Sequence, residues 1–100
     1  MRKFKKPLGF DWDKGNTGKN AKHGVRDKES EEAFFDNKKK VYKDPFHSRR
    51  EEREILIGKT KKKRSLYIVF TMRGENKEKV RIISARDINK KEVLLYEKKA

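Results

Sequence analysis

The chain has 100 residues, of which 32% are hydrophobic and 46% are charged, and it contains no cysteine. Lys and Arg number 30 against 16 Asp and Glu, which gives a formal charge of +14. This composition excludes a two-domain protein, a large enzyme core, disulfides and a cysteine-ligated metal site. The longest apolar run, Leu66–Phe70, is far shorter than the roughly 20 residues that span a bilayer. The N-terminus shows no apolar signal segment, so we expect a cytoplasmic protein.

The positive charge is spread evenly along the chain. Residues 1–50 and residues 51–100 each hold 15 basic and 8 acidic side chains, so each half carries +7. The folded body is therefore basic, and such a surface attracts polyanions. Nucleic acid is the first candidate partner and an acidic protein the second. The alternative is a charge that reflects only a lysine-rich composition.

The N-terminal half predicts an arm and two helices. We expect residues 1–9 to form a basic arm and residues 10–98 to form a single domain. A first helix is predicted over Gly15–His23, where Gly24 would end it. A second is predicted from about Asp27 to Phe35, with the apolar residues Ala33, Phe34 and Phe35 at its buried end.

The middle of the chain predicts antiparallel strands. The segments Arg53–Gly58, Leu66–Met72 and Lys79–Ala85 are rich in β-branched and aromatic residues. Short polar spacers separate them, which favours a three-stranded meander. Lys40–Lys43 adds a possible fourth strand at the edge.

A C-terminal helix is predicted from its start signal. Asn89 is a plausible N-cap, and Glu92 three residues later completes a capping box. Val93, Leu95 and Tyr96 supply the apolar positions with which this helix would pack on the sheet. The predicted fold class is therefore α+β, with N-terminal helices, a meander of three to four strands and a C-terminal helix.

An ordered set of short motifs resembles a known family over about Phe10–Glu97. The residues that carry the resemblance are Phe10-Asp11-Trp12-Asp13, Gly15-Asn16, Lys19-Asn20, Lys22-His23-Gly24-Val25, Glu32-Ala33-Phe34-Phe35-Asp36, Asp44-Pro45, His47-Ser48, Glu52-Arg53, Phe70-Thr71, Arg73-Gly74, Arg81-Ile82-Ile83-Ser84-Ala85-Arg86, Glu92 and Tyr96. Together they resemble the BrnT family, the toxins of bacterial type II toxin–antitoxin pairs.

The resemblance implies a RelE-like fold and a ribonuclease that inhibits translation by cutting RNA. It implies cleavage without a metal and no other cofactor. It also implies a BrnA-like antitoxin with a ribbon-helix-helix element, which neutralises the toxin and contacts operator DNA.

Cleavage of RNA without a metal needs few groups. The 2′-hydroxyl attacks the adjacent phosphate, a base and an acid move protons, and cations hold the growing phosphate charge. Guanidinium groups suit the last task because their planar fork binds two oxygens. The predicted catalytic residues are Arg53, Arg73, Arg81, Arg86 and His23.

Each of these residues also has a simpler interpretation. Arg73 could be a solvated turn residue, Arg53 and Arg86 could pair with neighbouring carboxylates, and Arg81 could face solvent or a carboxylate. His23 lies at a predicted helix C-terminus, where the dipole alone stabilises a protonated ring. His47, in a loop, is a second histidine worth testing because histidine exchanges protons near neutral pH.

Other residues are predicted to contact phosphates without choosing a sequence. These are Lys22 beside His23 and the basic run at a predicted hairpin tip, Lys61, Lys62, Lys63 and Arg64. A solvated basic face is equally consistent. Trp12 is more typical of a core residue, and Asp11 with Asp13 is a weak metal motif, so no metal site is predicted.

Two functions other than a nuclease fit the same residues. The first is a non-enzymatic nucleic-acid binder, such as a ribosome-associated protein. The second is an inactive toxin that serves only as a scaffold for its antitoxin.

Overall fold

A computed structural model of the chain describes residues 7, 9–44 and 51–98. The predicted basic arm, apart from Pro7 and Gly9, and the candidate His47 lie outside the described residues. The elements form an α+β fold with a short 3-10 helix at Lys19–His23, strands β1 (Gly9–Phe10), β2 (Lys40–Lys43), β3 (Glu54–Lys59), β4 (Ser65–Arg73) and β5 (Lys79–Asp87), and helices α1 (Asp27–Ala33) and α2 (Lys90–Glu97).

The strands form one five-stranded sheet in the order β1-β5-β4-β3-β2. Strands β2 to β5 form the predicted antiparallel meander, including the edge strand β2. Strand β1 was not predicted, and it pairs in parallel with the start of β5, so the sheet is mixed. A strand of two residues has no periodicity that a sequence could reveal.

One face of the sheet forms the core with α1. Alternate residues of the three central strands point to this face, and Phe34 from the end of α1 packs edge-on against Phe70 at 5.0 Å. Gly58 lets α1 approach closely, because a Cβ there would lie 2.6 Å from the carbonyl oxygen of Ala33. The buried apolar residues of this core are Val25, Ala33, Phe34, Val41, Leu56, Leu66, Ile68, Phe70, Val80, Ile82 and Ala85.

The first predicted helix is much shorter than Gly15–His23. Only Lys19–His23 is helical, and it is a 3-10 helix. Gly18 precedes it with a φ of 69°, a left-handed conformation that an α-helix does not contain. Gly24 ends the helix as predicted, with a φ of 70°.

Two buried asparagines explain why the chain before this helix is irregular. Asn16 donates from Nδ2 to the carbonyl oxygens of Asp11 (2.9 Å) and Ile82 (3.1 Å). The Oδ1 of Asn20 accepts from the backbone N–H of Ala85 at 2.9 Å. Strand β1 covers only the first two residues of β5, so these side chains satisfy backbone groups farther along that edge.

The C-terminal helix begins at the predicted capping box. Asn89 accepts from the Glu92 backbone N–H, and Glu92 accepts from the Asn89 N–H, both at 2.9 Å. Val93 and Tyr96 are half-buried. Leu95 remains 40% exposed, and the neighbouring Leu94 is 72% exposed, so the packed face of the helix is narrower than predicted.

Candidate functional site

The sheet face opposite the core carries the predicted arginines. Across the β4–β5 ladder, Arg81 is paired with Thr71 and Arg86 with Tyr67. Thr71 and Tyr67 are four residues apart on β4, so they share one face, and their partners share it with them. Arg73, two residues beyond Thr71, lies on the same face.

A β-bulge in β5 makes this arrangement possible. Arg81 and Arg86 are five residues apart, and a regular strand would direct them to opposite faces. The ladder shifts between Val69, paired with Ser84, and Phe70, paired with Ile82, so Ile83 is an extra residue. The extra residue reverses the alternation, and both arginines reach one face.

Arg81 is held by the segment that follows β1. Its Nη2 lies 2.9 Å from Asp13 Oδ1 and its Nη1 lies 3.1 Å from Oδ2, a bidentate pair. Asp11 approaches at 3.6 Å. The hydrogen bond from Arg81, together with one from the Gly15 backbone N–H, lowers the pKa of Asp13. The Arg81 side chain is only 18% exposed.

Arg73 and Arg53 lie at the same end of the sheet. Arg73 is the last residue of β4 and pairs with Glu51 at 3.0 Å. Arg53 directly precedes β3, is half-buried, and its carbonyl oxygen accepts from the Asp44 N–H at 2.9 Å. We call Arg53, Arg73 and Arg81 the arginine cluster.

Arg86 lies farther along the same face, beneath α2. Both of its Nη atoms donate to the Glu92 carboxylate at 2.8 Å, and its guanidinium stacks 4.1 Å from the Tyr67 ring centroid. Burial raises the pKa of Glu92, but hydrogen bonds from Arg86 and the Asn89 backbone outweigh it, so the net pKa is lowered. The helix thus covers this arginine.

Arg64 is the centre of a polar cluster at the opposite end of the sheet. It donates to Asp87 at 2.6 and 3.1 Å, to the Gly24 carbonyl oxygen at 2.7 Å and to Glu29 at 3.3 Å. The hydrogen bonds to Asp87 raise the pKa of Arg64. This guanidinium joins the β3–β4 turn to β5, α1 and the end of the 3-10 helix.

The remaining predicted residues gather around this same end. Lys22 and His23 are exposed at the end of the 3-10 helix, and the His23 carbonyl oxygen lies 3.5 Å from Arg64 Nη2. Lys61, Lys62 and Lys63 are exposed in the turn. Their ammonium groups have no carboxylate within ion-pair distance among the residues that the structure describes.

The structure therefore separates the predicted residues into two groups. Eight steps of about 3.3 Å make β4 about 26 Å long between the turn and Arg73. The arginine cluster lies at one end, whereas His23 and the predicted RNA-binding residues lie at the other. Arg86, paired with Tyr67 near the start of β4, lies toward the turn end and apart from the arginine cluster. Sequence reasoning missed Asp13 and Glu51 as the partners of Arg81 and Arg73, because only the fold brings them together. It did allow a pairing of Arg86 with a neighbouring carboxylate, and in the structure this carboxylate is Glu92.

Within the described ranges, no three His, Asp or Glu side chains form a group that could hold a metal ion. No helix in those ranges is long and apolar enough to cross a membrane.

A comparison with known protein families identifies the family to which the chain is related. The sequence model of the BrnT family, described as the ribonuclease toxin of a type II toxin–antitoxin system, matches residues 12–92. The chain belongs to the BrnT family. The match covers about four fifths of the sequence and includes every residue of the arginine cluster. No curated protein sequence matches the chain.

Membership has direct consequences for this BrnT chain. The family consists of ribonuclease toxins, so RNA is the substrate class that membership implies. A type II system pairs its toxin with an antitoxin, so an antitoxin is the implied partner. The prediction of a BrnT-family toxin is thereby confirmed, and membership supports ribonuclease as the class of activity.

Proposed function

We propose that this BrnT chain is a metal-independent endoribonuclease of the mRNA interferase type, with a RelE-like fold, that inhibits translation by cutting RNA. The 2′-hydroxyl of the substrate gives up its proton and attacks the neighbouring phosphate, and the bond from phosphorus to the 5′-oxygen breaks. The leaving 5′-oxygen takes up a proton, so the products are a 2′,3′-cyclic phosphate and a 5′-hydroxyl. Arg81, Arg73 and Arg53 stabilise the charge that grows on the phosphate oxygens.

The observation that carries this proposal is the shared face of the arginines. The bulge at Ile83 directs Arg81 and Arg86 to the same side as Arg73. Three guanidinium groups on one face of a rigid sheet offer hydrogen-bond donors at fixed positions. Such donors suit the phosphate of the transition state better than the flexible side chains of lysines do. Arg81 is already aligned by a carboxylate that presents two oxygens, as a phosphate would.

The other predicted residues have supporting roles in this proposal. Arg86 is a further phosphate contact on the same face, available when Glu92 releases it. His23, Lys22, Lys61, Lys62, Lys63 and Arg64 contact the RNA away from the scissile phosphate, because they lie at the opposite end of β4.

The proposed antitoxin is a BrnA-like protein with a ribbon-helix-helix element. It neutralises the toxin by covering the sheet face that carries the arginines, and it alone contacts operator DNA. The net charge of +14 supports a partner that presents acidic groups to this face.

The test is controlled expression in bacterial cells, with growth and RNA integrity followed over time. Wild type is compared with Arg81→Ala, Arg73→Ala and the matched control Lys90→Ala, which removes an exposed cation of α2 outside the proposed site. We expect growth arrest with RNA breakdown in wild type and control, and neither effect in the arginine variants.

Purified protein then tests the chemistry. Wild-type protein should cleave a labelled RNA at the same rate with and without a chelator, and it should leave a 2′,3′-cyclic phosphate. Arg81→Ala should slow cleavage by about 100-fold or more, the cost of losing one preorganised donor to the transition state. Normal growth and intact RNA with a folded wild type would favour the binder or the inactive scaffold.

A further inference from the structure

A groove of about 820 Å³ lies at the turn end of the sheet. The C-terminal part of α1, the β3–β4 turn and Tyr96 of α2 form its walls. Its lining includes five lysines from separate parts of the chain, Lys28, Lys38, Lys59, Lys61 and Lys63. We call it the lysine groove.

The acidic side chains of the lysine groove already accept hydrogen bonds from other residues of the protein. Glu31 accepts from Trp12 Nε1 at 2.7 Å, and Glu32 accepts from the Lys61 backbone N–H at 3.1 Å. Asp36 accepts from the Lys59 backbone N–H at 2.8 Å and from the Tyr96 hydroxyl at 2.7 Å. Glu31 and Glu32 thereby join α1 to the segment after β1 and to the β3–β4 turn, and Asp36 joins β3 to α2.

The five lysines of the groove differ from its carboxylates in their contacts. Among the described residues, none of the five lies within ion-pair distance of a carboxylate. The groove therefore offers charged donors to a ligand, although the Lys59 ammonium group already lies 5.4 Å from the Tyr96 ring centroid. At least one oxygen of each groove carboxylate is engaged in an internal hydrogen bond. A ligand rich in negative oxygen atoms fits this arrangement.

An exposed aromatic ring completes the lysine groove. Phe35 is 47% exposed, although the sequence predicts it at the buried end of α1. Helix α1 ends at Ala33, so Phe34 and Phe35 point to different sides. Phe10 contacts the Phe35 ring edge-on, with centroids 6.2 Å apart, which fixes the orientation of the ring. An open aromatic ring among lysines is the combination with which proteins bind single-stranded nucleic acid.

We propose that the lysine groove binds single-stranded RNA, with the lysines on successive phosphates and a base stacked on Phe35. The inference rests on the proposed function in taking RNA as the ligand. The groove is separated from the arginine cluster by the length of β4, so it holds the strand away from the scissile phosphate. It selects for substrates long enough to reach both ends.

The first experiment isolates stacking from charge. Phe35→Leu keeps an apolar side chain and the net charge but removes the aromatic ring. Anisotropy of a labelled 12-nucleotide single-stranded RNA with 2′-O-methyl groups, which cannot be cut by 2′-hydroxyl attack, should show at least about fivefold weaker binding. The slope of affinity against salt should not change, because no phosphate contact is lost. Unaltered affinity in a folded Phe35→Leu variant would overturn the proposal.

The second experiment isolates position from net charge. Lys61→Gln with Lys63→Gln removes two groove cations, and Lys90→Gln with Lys91→Gln removes two exposed cations of α2 outside it. The groove variant should reduce the salt slope by about 1.4, since each phosphate contact on a single strand contributes about 0.7. The control should leave the slope close to wild type, and equal losses in both variants would overturn the groove as a specific site.

Two further outcomes separate this proposal from the nuclease proposal. If wild type cuts RNA while the Phe35 and groove variants bind and cut normally, the groove assignment is wrong and the nuclease stands. If RNA binding depends on Phe35 while no RNA is cut, the groove stands and the nuclease fails. An oligoglutamate peptide that depends on Phe35 as strongly as RNA does would assign the groove to an acidic protein instead.

Discussion

The two ends of the sheet use their positive charges in different ways. At one end, Arg81 and Arg73 are paired with Asp13 and Glu51 of the same chain. At the other, the exposed lysines around the β3–β4 turn have no carboxylate partner among the described residues. In the proposed complex, RNA competes with internal carboxylates at the arginine end, whereas no carboxylate of the described residues is paired with the lysines at the other end.

This difference shows why net charge is a poor guide to a site. Both ends contribute to the total of +14. The lysines are suited to capture of a polyanion, because a mobile ammonium group follows the backbone of the strand. The paired arginines are suited to chemistry, because their partners fix the position of each fork before the substrate arrives.

Arg64→Ala gives the largest expected effect on stability. Removing this guanidinium leaves Asp87, Glu29 and the Gly24 carbonyl oxygen without their hydrogen bonds. We expect the free energy of unfolding in urea to fall by about 1–3 kcal/mol. Lys62→Ala removes an exposed neighbour and should change it by less than about 0.5 kcal/mol. Equal stabilities of the two variants would mean that Arg64 is no different from the turn lysines.

Glu92→Gln should have a smaller effect that depends on pH. The pKa of Glu92 is lowered from its ordinary value of 4.5, because the hydrogen bonds from Arg86 and Asn89 outweigh burial. A carboxylate with a lowered folded pKa stabilises the fold above its ordinary pKa and loses that contribution as pH falls through the folded pKa.

The expected cost of Glu92→Gln is about 1 kcal/mol at pH 7, and it shrinks as the pH falls below 4.5 and through the folded pKa of Glu92. Thermal unfolding of wild type and variant across this range measures the difference. A difference that does not shrink with acidification would show that the carboxylate contributes through packing instead of charge.

Asp13→Asn should have the smallest effect, and it changes binding. The substitution removes the competitor for Arg81, so affinity for single-stranded RNA at low salt should rise by about two- to fivefold. Glu97→Gln is the matched control, because it removes an equal charge from an exposed position on α2. If both variants gain affinity equally, the pairing with Arg81 is irrelevant to RNA binding.

Local patterns account for the parts of the fold that could be predicted. The strands of the meander alternate or run apolar over short distances, and the capping box at Asn89 and Glu92 needs only four residues. Leu95 shows the limit of such patterns, because its exposure depends on which surface the helix meets.

The candidate site could be predicted only in part. The sequence singled out the arginines as candidates, but the extra residue Ile83 that gives Arg81 and Arg86 a shared face leaves no sequence signal. The partner of Arg81 lies 68 residues away in the chain, at Asp13. Contacts of this kind form only when β1 pairs with β5, and residue type alone does not specify them.

The pairing of β1 with β5 determines when, during synthesis of the chain, the sheet can be completed. Gly9 pairs with Lys79, 70 residues later, so the first strand cannot find its partner until most of the chain has been synthesised. At about 5–20 residues per second, synthesis of the 70 residues from Gly9 to Lys79 takes on the order of 4–14 seconds. Arg81 and Asp13 cannot meet before this interval has passed. A nascent chain that already carries β1 therefore lacks a completed arginine cluster throughout that time.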